Sequence, residues 1–254
     1  MSSLAERHQY ILSKLKKEGK VNVLDLCDQL NVSSVTIRKD LKLLEDKNLL
    51  FRTHGGGTMT NPYTVDRHVS EKEKIRSSDK ADIGMFAASL IEANDCIIIA
   101  SGTTVLSLAR SIKPKGNLTV ITAALNVATE LNLHPEIEIL VLGGILRKSS
   151  SSATGIYAEK ILDDFSCSKL FLGVDGIDIE FGLTTTHVME AQLNRKMISA
   201  AQKTIILADS SKFGKRGFGR ICGLEEVEQI ITDKGISDHM VETLKGMGIE
   251  VTIV

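Results

Sequence analysis

Long apolar runs are missing from this chain of 254 residues. None approaches the roughly 18 residues of a membrane span, and no signal peptide opens the sequence, so a cytoplasmic location is expected. Cysteine is scarce: Cys27, Cys96, Cys167 and Cys222 lie far apart with no CxxC pairing. Each sits in or beside an apolar run, which reads as buried thiols in a reducing compartment. No metal or cofactor is expected. Aromatic residues make up only 4%, and the stacking pairs or double-stranded-RNA patterns of an RNA binder are absent. There is no internal repeat. SSSS at 149–152 is the one low-complexity piece and reads as a flexible loop. The net charge of −1 announces no polyanion partner.

What is present divides in two. Hydrophobic residues at 43% and charged residues at 25% are ordinary for a soluble globular protein, and the length suits one large or two small domains. Residues 1–57 hold ten Lys or Arg against seven acids, a balance of +3 that leaves −4 for the remainder. A basic head on an acidic body suggests division of labour. That head reads as three helices and a hairpin. Ala5–Lys17 carries Ile11, Leu12 and Leu15, with Tyr10 beside them. Gly19 ends this helix, and Val21–Val23 suits a short strand. Leu24–Leu30 sets Leu24, Cys27 and Leu30 on one stripe, with Leu26 flanking it. Asn31–Ser33 makes a tight turn, where Ser33 or Ser34 can cap the next helix. The glycines of LLFRTHGGGTM (49–59) then mark a hairpin. Together these elements make a winged helix-turn-helix.

The third helix, within SSVTIRKDLKLLE (33–45), has an unusual outer face. With about 100° per residue, Leu41 and Leu44 fall within about 40° of Ile37, and these three define its buried side. Val35, Arg38, Lys39 and Lys42 then face outward, with Thr36 flanking. Arg38, Lys39 and Lys42 can reach phosphates or guanine edges, while Val35 and Thr36 offer methyl groups to thymine. Ser33, Ser34 and the first-turn amides can hold a phosphate. A charge run is ordinarily a solvated face. Here it follows a helix and a three-residue turn, as a recognition helix does. Arg52 and His54 on the hairpin can add backbone or minor-groove contacts, although His54 alone suits a structural or exposed role as well.

Residues 58–79 are polar, mixed in charge and without a clear period, and read as a linker. From Lys80 onward the period changes. Apolar runs at 96–100, 118–122, 137–142, 169–174, 204–208, 228–232 and 249–254 alternate with helical stretches at 80–93, 103–112, 126–133, 156–165, 187–201 and 237–246. That pattern predicts a larger, doubly wound, mostly parallel α/β domain over 80–254.

In such sheets ligands bind beyond the carboxyl ends of the strands. The segments found there are SGTT (101–104), AALN (123–126), GGILRK (143–148), DGIDIEFGLTTT (175–186) and DSSKFG (209–214). SGTT opens a helix and offers hydroxyls to an anion, although it also suits a simple cap. Gly143 and Gly144 also suit a plain turn. Arg147 and Lys212 can neutralise a phosphate, and Asp175, Asp178 and Asp209 can accept from sugar hydroxyls. Five such loops on one edge favour a pocket for a phosphorylated polyol. KFGKRGFGR (212–220) reads as a mobile loop over the ligand or as a solvated loop.

RHQYIL (7–12), VSSVTIRKDLKLLE (32–45) and LFRTHGGG (50–57) resemble the amino-terminal signature of the DeoR family of bacterial transcription regulators. Over roughly 70–235, SGTT, LGGILR, GVDGID, GLT and DSSKFG resemble that family's effector domain, which is related in fold to ribose-5-phosphate isomerase. The resemblance implies operator binding through Thr36, Arg38 and Lys39. It also implies a phosphorylated sugar or related effector bound by Ser101, Gly102, Thr103, Thr104, Asp175 and Lys212, with Gly143, Gly144, Arg147 and Gly176 in the shared motifs. Two positions depart from the family pattern: Ala100 stands where Asp usually precedes SGTT, and Ala123 where Asn usually follows the second strand. The rival reading is a sugar-phosphate isomerase, with DGID (175–178) as its carboxylate pair and Glu190 as a base. The stretch after DGID contains no lysine, however, and fold analogy is a poor guide to activity. The expected mechanism is a homo-oligomer, dimer or tetramer, that represses from operator DNA and is released by the effector.

Overall fold

A computed structural model describes residues 3–47, 49–53, 55–59 and 68–254. The chain divides into two compact units, Met1–Val65 and Asp66–Val254. His54 and the middle of the expected linker lie outside the described residues.

The first unit runs α1 (Leu4–Glu18), β1 (Lys20–Asn22), α2 (Val23–Leu30), α3 (Ser34–Asp46), β2 (Phe51–Thr53) and β3 (Gly56–Thr58). Local chemistry sets each boundary. Ser3 and Glu6 form a capping box at the start of α1, and Gly19 closes it in the left-handed region. Asn22 caps α2, Asn31 ends it at φ 51°, and Ser33 caps α3. The three strands pair antiparallel in the order β1-β3-β2. Gly56 is obligatory there, because a Cβ on it would sit 1.8 Å from the Val21 carbonyl oxygen. Ile11, Leu15, Val21, Val23, Leu26, Ile37, Leu41, Leu44 and Leu50 make one core. The expected stripe of α2 is corrected: Leu24 is 69% exposed, while Val23 and Leu26 are buried. The Asn22 cap starts the helix at Val23, so Val23 and Leu26 share the inner face at i, i+3.

In the second unit, α4 (Val69–Glu73) and α5 (Ser77–Ser89) occupy chain that was expected to be linker up to residue 79. The order continues β4 (Cys96–Ile99), α6 (Thr103–Ser111), β5 (Leu118–Thr122), α7 (Leu125–Leu131), β6 (Ile137–Val141), β7 (Ile145–Arg147), β8 (Ser152–Thr154) and α8 (Ile156–Ile161). It ends with β9 (Lys169–Gly173), β10 (Gly176–Asp178), β11 (Gly182–Thr185), α9 (Val188–Ser199), β12 (Thr204–Leu207), β13 (Gly219–Cys222), β14 (Gln229–Thr232), α10 (Asp238–Gly246) and β15 (Glu250–Ile253).

Seven strands form one sheet in the order β15-β14-β12-β9-β4-β5-β6, and every pairing within it is parallel. These are the seven apolar runs of the sequence. Alternate residues along each strand enter opposite cores: Ile98, Leu170, Leu172, Ile206 and Ile230 on one face, Ile97, Ile99, Phe171, Ile205 and Ile231 on the other. From β4 the chain winds outward to β5 and β6, then returns to β9 on β4's other side. The winding therefore reverses between β4 and β9, which opens a crevice at their carboxyl ends.

Two smaller sheets flank this core. β7 pairs with β8, and β11 lies between β10 and β13, all antiparallel. SSSS is consequently not a loose loop: Ser149–Ser151 turn the β7–β8 hairpin, and Ser152 is buried in β8.

Candidate functional site

The outward face of α3 has the expected composition. Ile37, Leu41 and Leu44 are buried, whereas Val35 (58% exposed), Arg38, Lys39 and Lys42 face solvent, with Ser34 and Thr36 half-buried. The Ser33 hydroxyl accepts from the Thr36 amide at 3.2 Å and lies 3.0 Å from the Thr36 hydroxyl. Beneath this face Asp40 is only 2% exposed. Arg7 of α1 grips it through Nε at 2.7 Å and Nη2 at 3.1 Å, and His8 Nε2 lies 3.4 Å away. A buried carboxylate is tolerable only with such partners, so Asp40, two residues after Arg38, fastens the inner side of α3 to α1. On the wing, the Arg52 amide donates to Glu45 Oε1 at 2.9 Å, which ties β2 to the last turn of α3.

At the sheet edge, Ser101 and Gly102 follow β4, and Thr103 and Thr104 open α6 nearly buried. Gly102 has φ 135°, a conformation glycine adopts without strain. Asp175 follows β9. Its carboxylate accepts from Lys72 Nζ at 2.9 Å, Thr185 Oγ1 at 3.1 Å and the Thr186 amide at 3.3 Å. Burial pushes this carboxyl up, but the charges of Lys72 and Lys212 and those hydrogen bonds outweigh it, so Asp175 titrates below the usual carboxylate range. Asp209, after β12, accepts from the amide and hydroxyl of Ser211 and from Arg76 Nη1 at 3.4 Å.

Three cations that precede β4 were missed in the sequence. Lys72 belongs to α4. Arg76, at φ 53°, also reaches Asp233 at 3.2 Å and the Ser210 hydroxyl at 2.7 Å. Lys80 of α5 is buried, and its ammonium donates to the carbonyls of Lys72 at 2.5 Å and Ile75 at 2.6 Å. Burial pushes it down to about 8, Asp209 opposes that, and the charges of Lys212 and Lys72 add to it. Lys72, Lys80 and Lys212 thus form one cationic group around Asp175 and Asp209. Neither Lys72 nor Lys80 adjoins a strand in the sequence, so reading the segments at the strand ends does not find them.

Arg147 is expected at this edge and meets another carboxylate: its Nη1 lies 3.6 Å from Glu190 Oε2. Glu190 is buried, with the Ser152 and Thr185 hydroxyls each at 3.4 Å. Thr185 therefore joins the Asp175 and Glu190 ends into one polar network. Other expected residues serve the backbone. A Cβ on Gly144 would meet the Thr154 carbonyl oxygen at 2.5 Å, and one on Gly176 the Lys215 carbonyl oxygen at 2.4 Å, while Gly143 is open. Asp178 accepts from the amides of Glu180 and Phe181 and pairs with Arg216 at 2.8 Å, so it closes the β10–β11 turn. The expected loop 212–220 is fastened as well. Arg216 and Arg220 flank the Phe181 ring at 5.4 and 5.7 Å, and the Gly217 amide donates to Thr184 Oγ1 at 2.8 Å. Ala100 and Ala123 are buried in the apolar core.

Comparisons with known proteins fall into the same division. Residues 7–62 match the DeoR-like helix-turn-helix domain, and residues 75–234 match the DeoR C terminal sensor domain. The chain is 35% identical over 256 residues to a putative aga operon transcriptional repressor of Escherichia coli O157:H7, covering 100% of this chain and 95% of that protein. It is 34% identical over 248 residues to the HTH-type transcriptional repressor GlcR of Bacillus subtilis (strain 168), covering 98% and 95%. Among solved structures, ribose 5-phosphate isomerase A from Methanocaldococcus jannaschii aligns over 53% of each chain, with 15% identity and a TM-score of 0.38. Both full-length relatives carry regulator names, not enzyme names. The chain belongs to the DeoR family of transcriptional regulators.

Proposed function

We propose that this protein is a sequence-specific DNA-binding repressor of carbohydrate genes, released from its operator by a phosphorylated sugar or related metabolite. The observation that carries the reading is α3. Its apolar side is sealed in the core, and its other side presents Val35, Arg38, Lys39 and Lys42 on a capped, braced helix. Such a face suits a major groove: methyl groups meet thymine, and cations meet phosphate and guanine. Ser33, Ser34 and Thr36 at its start, and Arg52 on the wing, are assigned the flanking backbone, as is His54 by its place in the sequence.

The effector is assigned to the edge where the winding reverses. Ser101, Gly102, Thr103 and Thr104, with Lys212 and the cations Lys72 and Lys80, suit a phosphate. Asp175 suits a sugar hydroxyl, and Arg147 with Glu190 suits the far end of the polyol. Gly143, Gly144 and Gly176 hold the walls. A homo-oligomer presenting paired heads to a repeated or palindromic operator is part of the proposal, since one head alone binds too weakly to compete with genomic DNA. The proposed location is cytoplasmic. Among the described residues no helix is long and apolar enough to cross a membrane.

The test begins by selecting a duplex from a random DNA library with the full-length protein. Arg38→Ala is expected to weaken binding to that duplex by about 1–3 kcal/mol. Undiminished affinity removes Arg38 from base reading, and failure to select any duplex overturns the function. A thermal-shift screen of phosphorylated sugars, then operator titration with each hit, tests the effector. Sedimentation of a monomer on DNA would overturn the oligomer.

A further inference from the structure

Helix α4 is held in an unusual way. It has five residues and buries none of them. A helix that short has no stability of its own, and here no apolar face docks it. Polar contacts hold it instead. The Val69 amide donates to the Ser149 carbonyl at 2.6 Å, and Lys72 Nζ donates to Asp175 Oδ1 at 2.9 Å. From behind, Lys80 grips the carbonyls of Lys72 and Ile75, and Arg76 anchors the exit of the helix on Asp209 and Asp233. Arg76 sits in the left-handed region, where a non-glycine residue stays only if its surroundings hold it. In sequence, α4 is the first element after residues 60–67, through which the chain passes from one unit to the other.

We propose that the Lys72–Asp175 pair is a latch that couples the crevice to the DNA-binding unit. With the latch closed, α4 is docked and the operator-binding arrangement is favoured. An anionic group of the effector draws Lys72 away, since a dianion outcompetes a single carboxylate for one ammonium. An effector hydroxyl then takes the vacated oxygen of Asp175. α4 loses the contact of Lys72 with the sheet edge and keeps the pair of Glu73 with Arg110 of α6 (2.6 Å) as a pivot, and the change enters the chain leading to the other unit. The coupling equals the difference in ligand affinity between the latched and unlatched states. This proposal rests on the reading of the edge as the effector site, and its test needs no effector.

Lys72→Met and Asp175→Asn in the full-length protein each open the latch without ligand. Hydrogen exchange at the amides of Val69–Arg76 is expected to rise about tenfold or more, and affinity for the selected duplex to fall about tenfold, within the usual range of allosteric coupling. Exchanging the charges (Lys72→Asp with Asp175→Lys) is expected to restore both, which a merely destabilised edge would not do. Lys72 is partly exposed, so its variant keeps the test open should Asp175→Asn fail to fold. Unchanged exchange at α4, or faster exchange with wild-type operator affinity, overturns the latch and leaves the effector site standing. If the wild-type protein selects no duplex, the functional reading itself has failed.

Discussion

Lys80 lets the electrostatics of the crevice be tested through stability. The residue is 5% exposed, and its ammonium titrates near 8 in place of 10.5, chiefly because burial disfavours its charged form. The folded value lies below the unfolded one, so between the two the unfolded chain binds the extra proton. The folded state therefore gains stability as pH rises through that window, and below about 8 a penalty for the buried charge remains. The interval from about 8 to 10.5 corresponds to about 3.4 kcal/mol at about 1.36 kcal/mol per tenfold step. Solvent screening and the two carbonyl contacts reduce this to about 2 kcal/mol. The thiols of Cys167 and Cys222, which burial pushes up to about 12, act in the opposite direction above pH 9, so the informative quantity is a difference between proteins. Urea unfolding monitored by circular dichroism, on wild type and Lys80→Met at about pH 7.5 and about pH 10.5, should show wild type gaining about 2 kcal/mol on the variant at the higher pH. An equal difference at both pH values would refute the reasoning. A phosphate entering beside Lys80 should also raise its affinity for a proton, so binding near pH 8 should take up protons, measurable by calorimetry in buffers of different ionisation enthalpy.

Ile37→Ala removes a fully buried side chain behind the reading face. It should cost the first unit about 2–5 kcal/mol, read from hydrogen exchange in α1 and α3, and should weaken operator binding although Ile37 touches no DNA. Ser33→Ala should destabilise α3 by about 0.5–2 kcal/mol, whereas Ser33→Gly should cost only a few tenths. If the two variants weaken operator binding equally, the lost hydroxyl contact on the phosphate accounts for the effect and the cap does not. Gly56→Ala places a methyl group against the Val21 carbonyl. It should open the β1–β3 pairing, seen as loss of exchange protection at Val21 and Gly57, at a cost of about 1–3 kcal/mol.

The long periodic elements were legible in the residues. All seven strands of the main sheet lie within the apolar runs, and the inner face of α3 is set by the spacing of Ile37, Leu41 and Leu44. Short elements held by tertiary contacts were not. α4 has no apolar period to find, because two ion pairs and backbone contacts hold it. β7, β8 and β10 are three residues each, too short for alternation to stand out from chance. The crevice was half legible. The segments just beyond the strand ends contain Ser101–Thr104, Asp175 and Lys212, but Lys72, Arg76 and Lys80 reach the same edge from the chain ahead of β4, where strand patterning gives no sign of them. Asp178 shows the converse: it lies in the expected place, yet its lone pairs are taken by its own turn and by Arg216.

β3 lies between β2 of the wing and β1, and β1 leads without a break into α2, whose three-residue turn sets the start of α3. Gly56 brings β3 against β1 with no room for a side chain, and Glu45 fastens β2 to the far end of α3. Wing and reading helix are thus two jaws of one caliper with a fixed opening. Such a tool can accept a different base at either jaw, but not a nucleotide inserted between the points where the jaws rest. Operators for this protein should accordingly vary in letters far more than in the spacing between those two points.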